Sequence, residues 1–215
     1  MINAAIFDLD GTLLDSTDMW ENLGERFLQS LDIVPEKNLR DNIWDLSLPE
    51  SAAFFKREYA LSLSEEEIIA RLNELSESVY TKDAPLKSGV KRLLGSLQML
   101  DIKCALATAA DKNLAEAAFA RTGISEYFSG IFSCSDYGAK TAPDIFLKAA
   151  ELLGANPRET VVFEDSLTAV QTAKNAGFIT AAVRDGSEKN PDLLRETADF
   201  YGENLDELRK KIFLK

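Results

Sequence analysis

The sequence predicts an α/β protein: a doubly wound parallel sheet with an all-helical segment inserted after its first strand. Two observations carry this. From Pro85 onward, short β-rich runs alternate with amphipathic helical stretches. Each run is nearly continuous in apolar residues, as expected of parallel strands covered on both faces, and β–α alternation is the signature of a wound parallel sheet. By contrast, residues 16–82 contain no convincing strand, although residues 3–9 before them read as one more strand of the sheet.

In chain order, the strand at 3–9 leads into helices predicted at 17–31, 36–44, 48–59 and 64–80. "SLPE" (Ser47 to Glu50) and "SEEE" (Ser64 to Glu67) fit the capping-box pattern, and Pro49 suits a first helical turn. The acidic run Glu65–Glu67 is a helix start favoured by the macrodipole. Beyond Pro85 the helices fall at 88–100, 111–122, 142–153 and 166–176. The strands are "IKCALAT" (102–108), "GIFSCS" (130–135), "TVVFED" (160–165) and "ITAAVRD" (179–185). Gly123, Gly154 and Gly177 stand just past three of the helices as C-terminal stops, and Lys112 and Asn113 open another. The expected organisation is therefore a core of residues 1–15 and 83–215 with a helical insertion at 16–82. Trp20 and Trp44 are expected in the core of that insertion.

The 215 residues carry 24 basic and 36 acidic side chains, a formal charge of −12. That argues against a general nucleic-acid or anionic-membrane binder, which needs clustered Lys and Arg. It leaves room for a small phosphorylated metabolite, which a few local cations and backbone amides can hold. The chain has no histidine, which removes Ser-His and Cys-His catalysis and His-ligated metals. Cys104 and Cys134 lack metal-ligand spacing and read as small apolar residues. The N-terminus reaches Asp8 too soon for a signal peptide, and no apolar run is long enough to span a bilayer. The expectation is a cytoplasmic protein, monomeric by default.

Function is sought where the strands end, because ligands of open parallel sheets bind outside their carboxyl ends. The first strand ends in Asp8 and Asp10, followed by Gly11, which permits a sharp exit. The second ends in Thr108, followed by Ala109 and Ala110. Lys140 lies in the loop after the third, and the fourth ends in Glu164 and Asp165. Clustered carboxylates repel one another unless a hard cation sits among them, and oxygen ligands suit Mg²⁺. A phosphoryl group then needs positive charge from Lys140 and donors from the Thr108 hydroxyl and the backbone near Ala109. Asp8 can attack phosphorus, and Asp10 can protonate the leaving oxygen and later activate water.

These residues resemble the four motifs of the haloacid dehalogenase-like hydrolases, in the subgroup with a helical cap after the first strand, which includes phosphoglycolate phosphatases and β-phosphoglucomutases. "DLDGT" (8–12) matches the first motif, Thr108 the second, Lys140 the third and "FEDS" (163–166) the fourth. The resemblance spans the whole chain. It implies a Rossmann-like core, Asp8 as nucleophile and Asp10 as general acid/base. It also implies Mg²⁺ held by Asp8, the Asp10 carbonyl and the acidic pair Glu164 and Asp165, with Glu164 either a ligand or one shell out. Two departures stand out: the third motif reads "KTAPD" (140–144), with Thr141 where a proline is usual, and Ala169 replaces a frequent glycine after the fourth.

The implied activity is a Mg²⁺-dependent phosphatase for a small phosphorylated metabolite, the cap selecting the substrate. The alternative within the family is a sugar-phosphate mutase. The mutases of the family time their second step with a histidine at the start of the cap, and the matching place here falls at about Trp20. From a different class, a phospho-accepting receiver domain also sets aspartates, a Thr and a Lys on a parallel sheet, but it is shorter and lacks a helical insertion. A dehalogenase would need neither Asp10 nor a metal.

Overall fold

The computed structural model describes residues 2–43 and 48–214. Its sheet is six-stranded and wholly parallel: β1 (Ala4–Phe7), β2 (Lys103–Thr108), β3 (Phe128–Ser133), β4 (Thr160–Glu164), β5 (Ile179–Val183) and β6 (Phe200–Gly202), in the order β3-β2-β1-β4-β5-β6. The most apolar strand, β1, lies near the middle with all four residues buried. Alternation decides which face each side chain meets. Ala4 and Ile6 join Ala105, Ala107 and Val162 beneath α9 (Asp144–Leu153) and α10 (Leu167–Asn175). From the alternate positions Phe7 stacks on Phe163, centroids 4.6 Å apart, and meets Phe128 edge-on at 5.8 Å. Phe128 in turn packs on Phe119 of α7 (Lys112–Thr122).

The chain divides into two compact units, Met1–Thr17 with Ala84–Lys215, and Asp18–Asp83. The second has an apolar core of its own, in which Phe27, Leu28, Leu39, Ala52, Phe55, Ile68 and Leu72 are buried. It contains α2 (Leu23–Gln29), α3 (Leu39–Ile43), α4 (Leu48–Glu58) and α5 (Glu65–Ser78), which ends in a π turn at Val79–Asp83. The helix expected over 17–31 is broken: α1 (Thr17–Glu21) stops at Asn22, a weak helix former followed closely by Gly24. The capping box at Ser64 is formed, with Ser64 Oγ accepting from the Glu67 amide and Glu67 Oε2 from the Ser64 amide. Trp20 is half-buried against Tyr80, centroids 5.6 Å apart. Trp44 and the Ser47 end of the other expected capping box lie outside the described residues.

Other elements also differ from the sequence reading. β3 begins at Phe128 and stops at Ser133, because the Ser133 hydroxyl accepts the Ser135 amide and turns Cys134–Tyr137 into a short helix, α8. β6 and the flanking helices α11 (Pro191–Thr197) and α12 (Leu205–Phe213) had no expected counterpart. A three-residue edge strand is too short to show a period. The N-cap of α7 is Asp111, and the Thr108 oxygen accepts the Ala110 amide at 3.0 Å within the turn before it.

Among the described residues, six helices end by one device. After α2, α4, α6 (Val90–Met99), α7, α9 and α10 a residue turns to positive φ, and the amide after it reaches the carbonyl five residues back. That is the Schellman arrangement, with an apolar residue following the turn: Ile33, Leu61, Ile102, Ile124, Ala155 and Phe178. Glycine occupies the turning position after α7, α9 and α10, where the sequence reading placed the stops. Asp32, Ala60 and Asp101 occupy it after the other three. Ala60, at φ 48°, has neither glycine's freedom nor the local hydrogen bonding of aspartate. Ala60→Gly is therefore expected to stabilise the chain by about 0.5–1 kcal/mol in urea unfolding, and Gly123→Ala to destabilise it by about 1 kcal/mol.

Candidate active site

β1 sits where the sheet order reverses, between β2 and β4, and the site forms at that switch point. Phe7 pairs with Leu106 on one side and Phe163 on the other. The Asp8 amide continues the ladder by donating to the Phe163 carbonyl at 3.0 Å. The register thereby sets Asp8 level with Glu164. Carboxylate oxygens of Asp8, Glu164 and Asp165, all buried, lie within 4.8 Å of one another. The Lys140 ammonium enters this group from the loop after α8, donating to Asp8 Oδ1 and, at 2.7 Å, to Glu164 Oε1.

Each carboxylate is held by a different set of donors. Glu164 Oε2 accepts the backbone amides of Asp165 and Ser166, both at 2.9 Å, as the chain turns into α10. Asp165 Oδ1 accepts the Thr12 hydroxyl at 2.8 Å. Gly11 turns there at φ 80°, and a Cβ on it would overlap the Asp165 carboxylate, so both the turn and the close approach require glycine. Asp10 stands apart from the three; its Oδ1 accepts the Ser16 hydroxyl at 2.6 Å. On the other flank Thr108 is fully buried, while Ala109 at the strand exit is exposed. The Ala110 carbonyl accepts the Ser133 hydroxyl at 2.8 Å, which ties this loop to the end of β3. The Thr108 oxygen is an acceptor there, so its hydrogen remains available for a ligand.

Burial pushes the Asp8 carboxyl up to about 7, with Glu164 and Asp10 adding to the rise against the pull of Lys140. Burial likewise raises Asp165 well above the usual carboxylate range, reinforced by Glu164 and Asp8. Burial works against the charge on Lys140, but Asp8 and Glu164 outweigh it and keep the ammonium protonated. Three buried carboxylates facing one ammonium leave two negative charges unbalanced when all ionise. A divalent cation with a preference for oxygen ligands fits that donor set, and the three carboxylates could hold one.

The structure thus brings Asp8, Lys140, Glu164 and Asp165 into direct contact or close approach, with Asp10 on the loop after β1 and Thr108 at the end of the neighbouring β2. Sequence reasoning left out Thr12, Ser16 and Ser133, the hydroxyls that fasten these loops. It also left out Lys87 and Asp185, a largely buried ion pair at 2.6 Å whose lysine donates to the Gly11 carbonyl. Asp185 had a signal of the same kind as Asp8, a carboxylate at the end of an apolar run. Lys87 had none.

Residues 2–177 match the haloacid dehalogenase-like hydrolase family, and the chain belongs to it. A probable pseudouridine-5'-phosphatase of Drosophila melanogaster is 30% identical, the match covering 95% of this chain and 94% of that one. The β-phosphoglucomutase of Bacillus subtilis (strain 168) is 29% identical over 96% and 95% of the two chains. A crystal structure from Thermotoga maritima superposes with a TM-score of 0.81 at 26% identity, covering 94% of each chain.

Because the folded Asp8 binds its proton up to about pH 7 and an unfolded aspartate only to about 3.8, its contribution is full below pH 4 and is lost as pH rises through 7. In chelator, the parent is expected to lose on the order of 2 kcal/mol of stability between pH 5 and 8 from this group. Asp8→Asn should flatten that slope and be the more stable protein at pH 8, as read by urea unfolding at the two pH values.

Proposed function

We propose that the chain is a Mg²⁺-dependent phosphatase acting on a small phosphorylated metabolite through an aspartyl-phosphate on Asp8. The observation that carries this reading is the buried Asp8 carboxylate held against the Lys140 ammonium, with Glu164 and Asp165 beside it. Family membership and relatives named as a phosphatase and a phosphomutase support it.

In this reading a carboxylate oxygen of Asp8 attacks phosphorus and the ester P–O bond breaks. Asp10, oriented by Ser16, gives its proton to the leaving oxygen. Asp10 then takes a proton from water as that water attacks the phosphoaspartate, releasing inorganic phosphate and restoring Asp8. Lys140 balances the charge of the phosphoryl oxygens, and Thr108 with the backbone at Ala109 donates to them. Mg²⁺, held by Asp8, Asp165 and the Asp10 carbonyl, would supply charge neutralisation for both the carboxylates and the phosphoryl group. Glu164 fits the role of a holder of Lys140, since one of its oxygens is committed to the ammonium and the other to two amides. The helical unit 18–83 is the substrate-selecting module.

The 29% identity to a β-phosphoglucomutase favours a second reading, transfer of the phosphoryl group to another hydroxyl. Against it stands the chain's lack of any histidine. At the start of the inserted unit Trp20 offers only an N–H donor and apolar bulk, with no proton to shuttle at neutral pH.

Asp8→Asn should abolish phosphate release while the protein stays folded, and Asp10→Asn should lower turnover by about 10²–10⁴-fold. A panel of phosphorylated metabolites assayed for inorganic phosphate tests both. Substantial activity in Asp8→Asn would exclude the covalent route. Chelator should stop turnover and added Mg²⁺ should restore it, whereas full activity in chelator would exclude the metal. With glucose 1-phosphate and a trace of the 1,6-bisphosphate, phosphorus NMR is expected to show inorganic phosphate as the sole new product from any turnover. Accumulating glucose 6-phosphate would establish the mutase.

A further inference from the structure

One largely buried ion pair lies outside the clustered carboxylates yet touches the loop that follows Asp10. Lys87 and Asp185 have side chains only 15% and 4% exposed, and they meet at 2.6 Å. The lysine uses all three of its donors: on Asp185 Oδ2, on the Gly11 carbonyl at 2.6 Å and on the Arg184 carbonyl at 3.0 Å. Asp185 is as fully engaged. Its Oδ2 also accepts the Thr17 hydroxyl at 3.0 Å, and its Oδ1 accepts the amide and hydroxyl of Ser187 at 3.0 and 2.8 Å.

Burying two charges costs enough that such a pair is weak evidence of stabilisation; well-packed apolar residues often do as well. What an apolar pair could not do is direct strong bonds at chosen backbone and side-chain atoms. Here those atoms flank one residue. Gly11 follows Asp10 directly. Thr17 follows Ser16, whose hydroxyl holds Asp10 Oδ1. The backbone of the lysine also joins the loop, its amide donating to the Leu13 carbonyl at 2.9 Å, and two residues earlier the Asp15 amide donates to the Pro85 carbonyl at 2.9 Å. The segment 11–17 is thus fastened at both ends to the end of β5 through Asp185.

We infer that Lys87 and Asp185 are positioning residues that fix the aim of the Asp10 carboxyl. This rests on the reading of Asp10 as the general acid and base. The pair touches no substrate and moves no proton; it holds the Gly11 carbonyl and Thr17 so that Asp10, kept by Ser16, meets the leaving oxygen. Misplacing a catalytic group by about 1 Å can cost 10²-fold.

The test compares two phosphomonoesters, p-nitrophenyl phosphate, whose leaving group needs little protonation, and an alkyl phosphate, whose leaving group needs it fully. Alcohol release is followed in single turnovers with the Mg²⁺-loaded full chain. Asp10→Asn serves as the reference, and Lys87→Met, Asp185→Asn and their double variant are compared with it. The expected result is a fall of about 10- to 100-fold in the alkyl rate, with the aryl rate reduced far less and KM for either ester unchanged. The double variant should be no worse than the poorer single one. Asp185→Asn keeps the shape of the site and remains informative if Lys87→Met does not fold, as checked by circular dichroism at the assay temperature. Equal losses on both esters, or a change confined to KM, would overturn the inference. If Asp10→Asn itself lost both rates equally, the acid role of Asp10 would fail first, and the two failures are told apart by that reference alone.

Discussion

The arrangement at the strand ends depends on one charge balance. Asp8, Glu164 and Asp165 are buried close together, and an isolated carboxylate in such a place would give up its charge. The Lys140 ammonium, wedged between Asp8 and Glu164, is the protein's own counter-charge. It is one charge against three, so the site is left short of positive charge by design of its residues. That deficit is what makes it receptive to a divalent cation; burial first, and the neighbouring carboxylates after it, raise Asp8 and Asp165 above the usual carboxylate range.

Much of the surrounding structure serves to hold these groups at their spacing. Parallel pairing of β1 with β4 sets Asp8 level with Glu164, and the β1 and β4 exits must then pass each other closely. Gly11 permits that passage, since any side chain there would strike the Asp165 carboxylate. The Thr12 hydroxyl joins the two loops directly. The first turn of α10 follows at once, its Ser166 hydroxyl accepting the Ala169 amide, so the last fourth-motif residue caps the helix. The alanine at 169 is buried, and its small side chain leaves this close packing undisturbed. Thr141 lies outside the buried cluster on an exposed turn, and the lysine beside it still reaches both its partners.

The clustered polar groups of the candidate site were legible in the sequence because they obey a simple rule, polar residues at or just beyond the ends of apolar runs. Five of the six strands followed from continuous hydrophobicity, and β6 did not because three residues carry no period. Three helix ends were visible through glycine; three more were hidden because Asp32, Ala60 and Asp101 adopt the same turn. The apolar residue after each turn was the signal that could have found them. Thr12 sat inside a motif already noticed and Ser16 four residues beyond it, but nothing in their local sequence says which carboxylate each would hold. Lys87 is further still from legibility. Its partners, Gly11, Arg184 and Asp185, lie 76, 97 and 98 residues away, and only the folded sheet brings them together.

That difference separates two kinds of information in one site. Groups that make or break bonds must stand at strand ends, where backbone geometry delivers them with few degrees of freedom, so they leave a local pattern. Groups that aim them act over long sequence distances through single hydrogen bonds, and any element passing nearby can supply the donor. A lysine before α6 serves here, and its identity is constrained only by the need for three directed donors near the Gly11 carbonyl. The helical unit is less local again, since the spacing of its side chains is set by that unit's own core rather than by the sheet. The strand-end groups are therefore written in short motifs, the contacts that fasten them in long-range pairings, and the helical unit in an apolar core of its own.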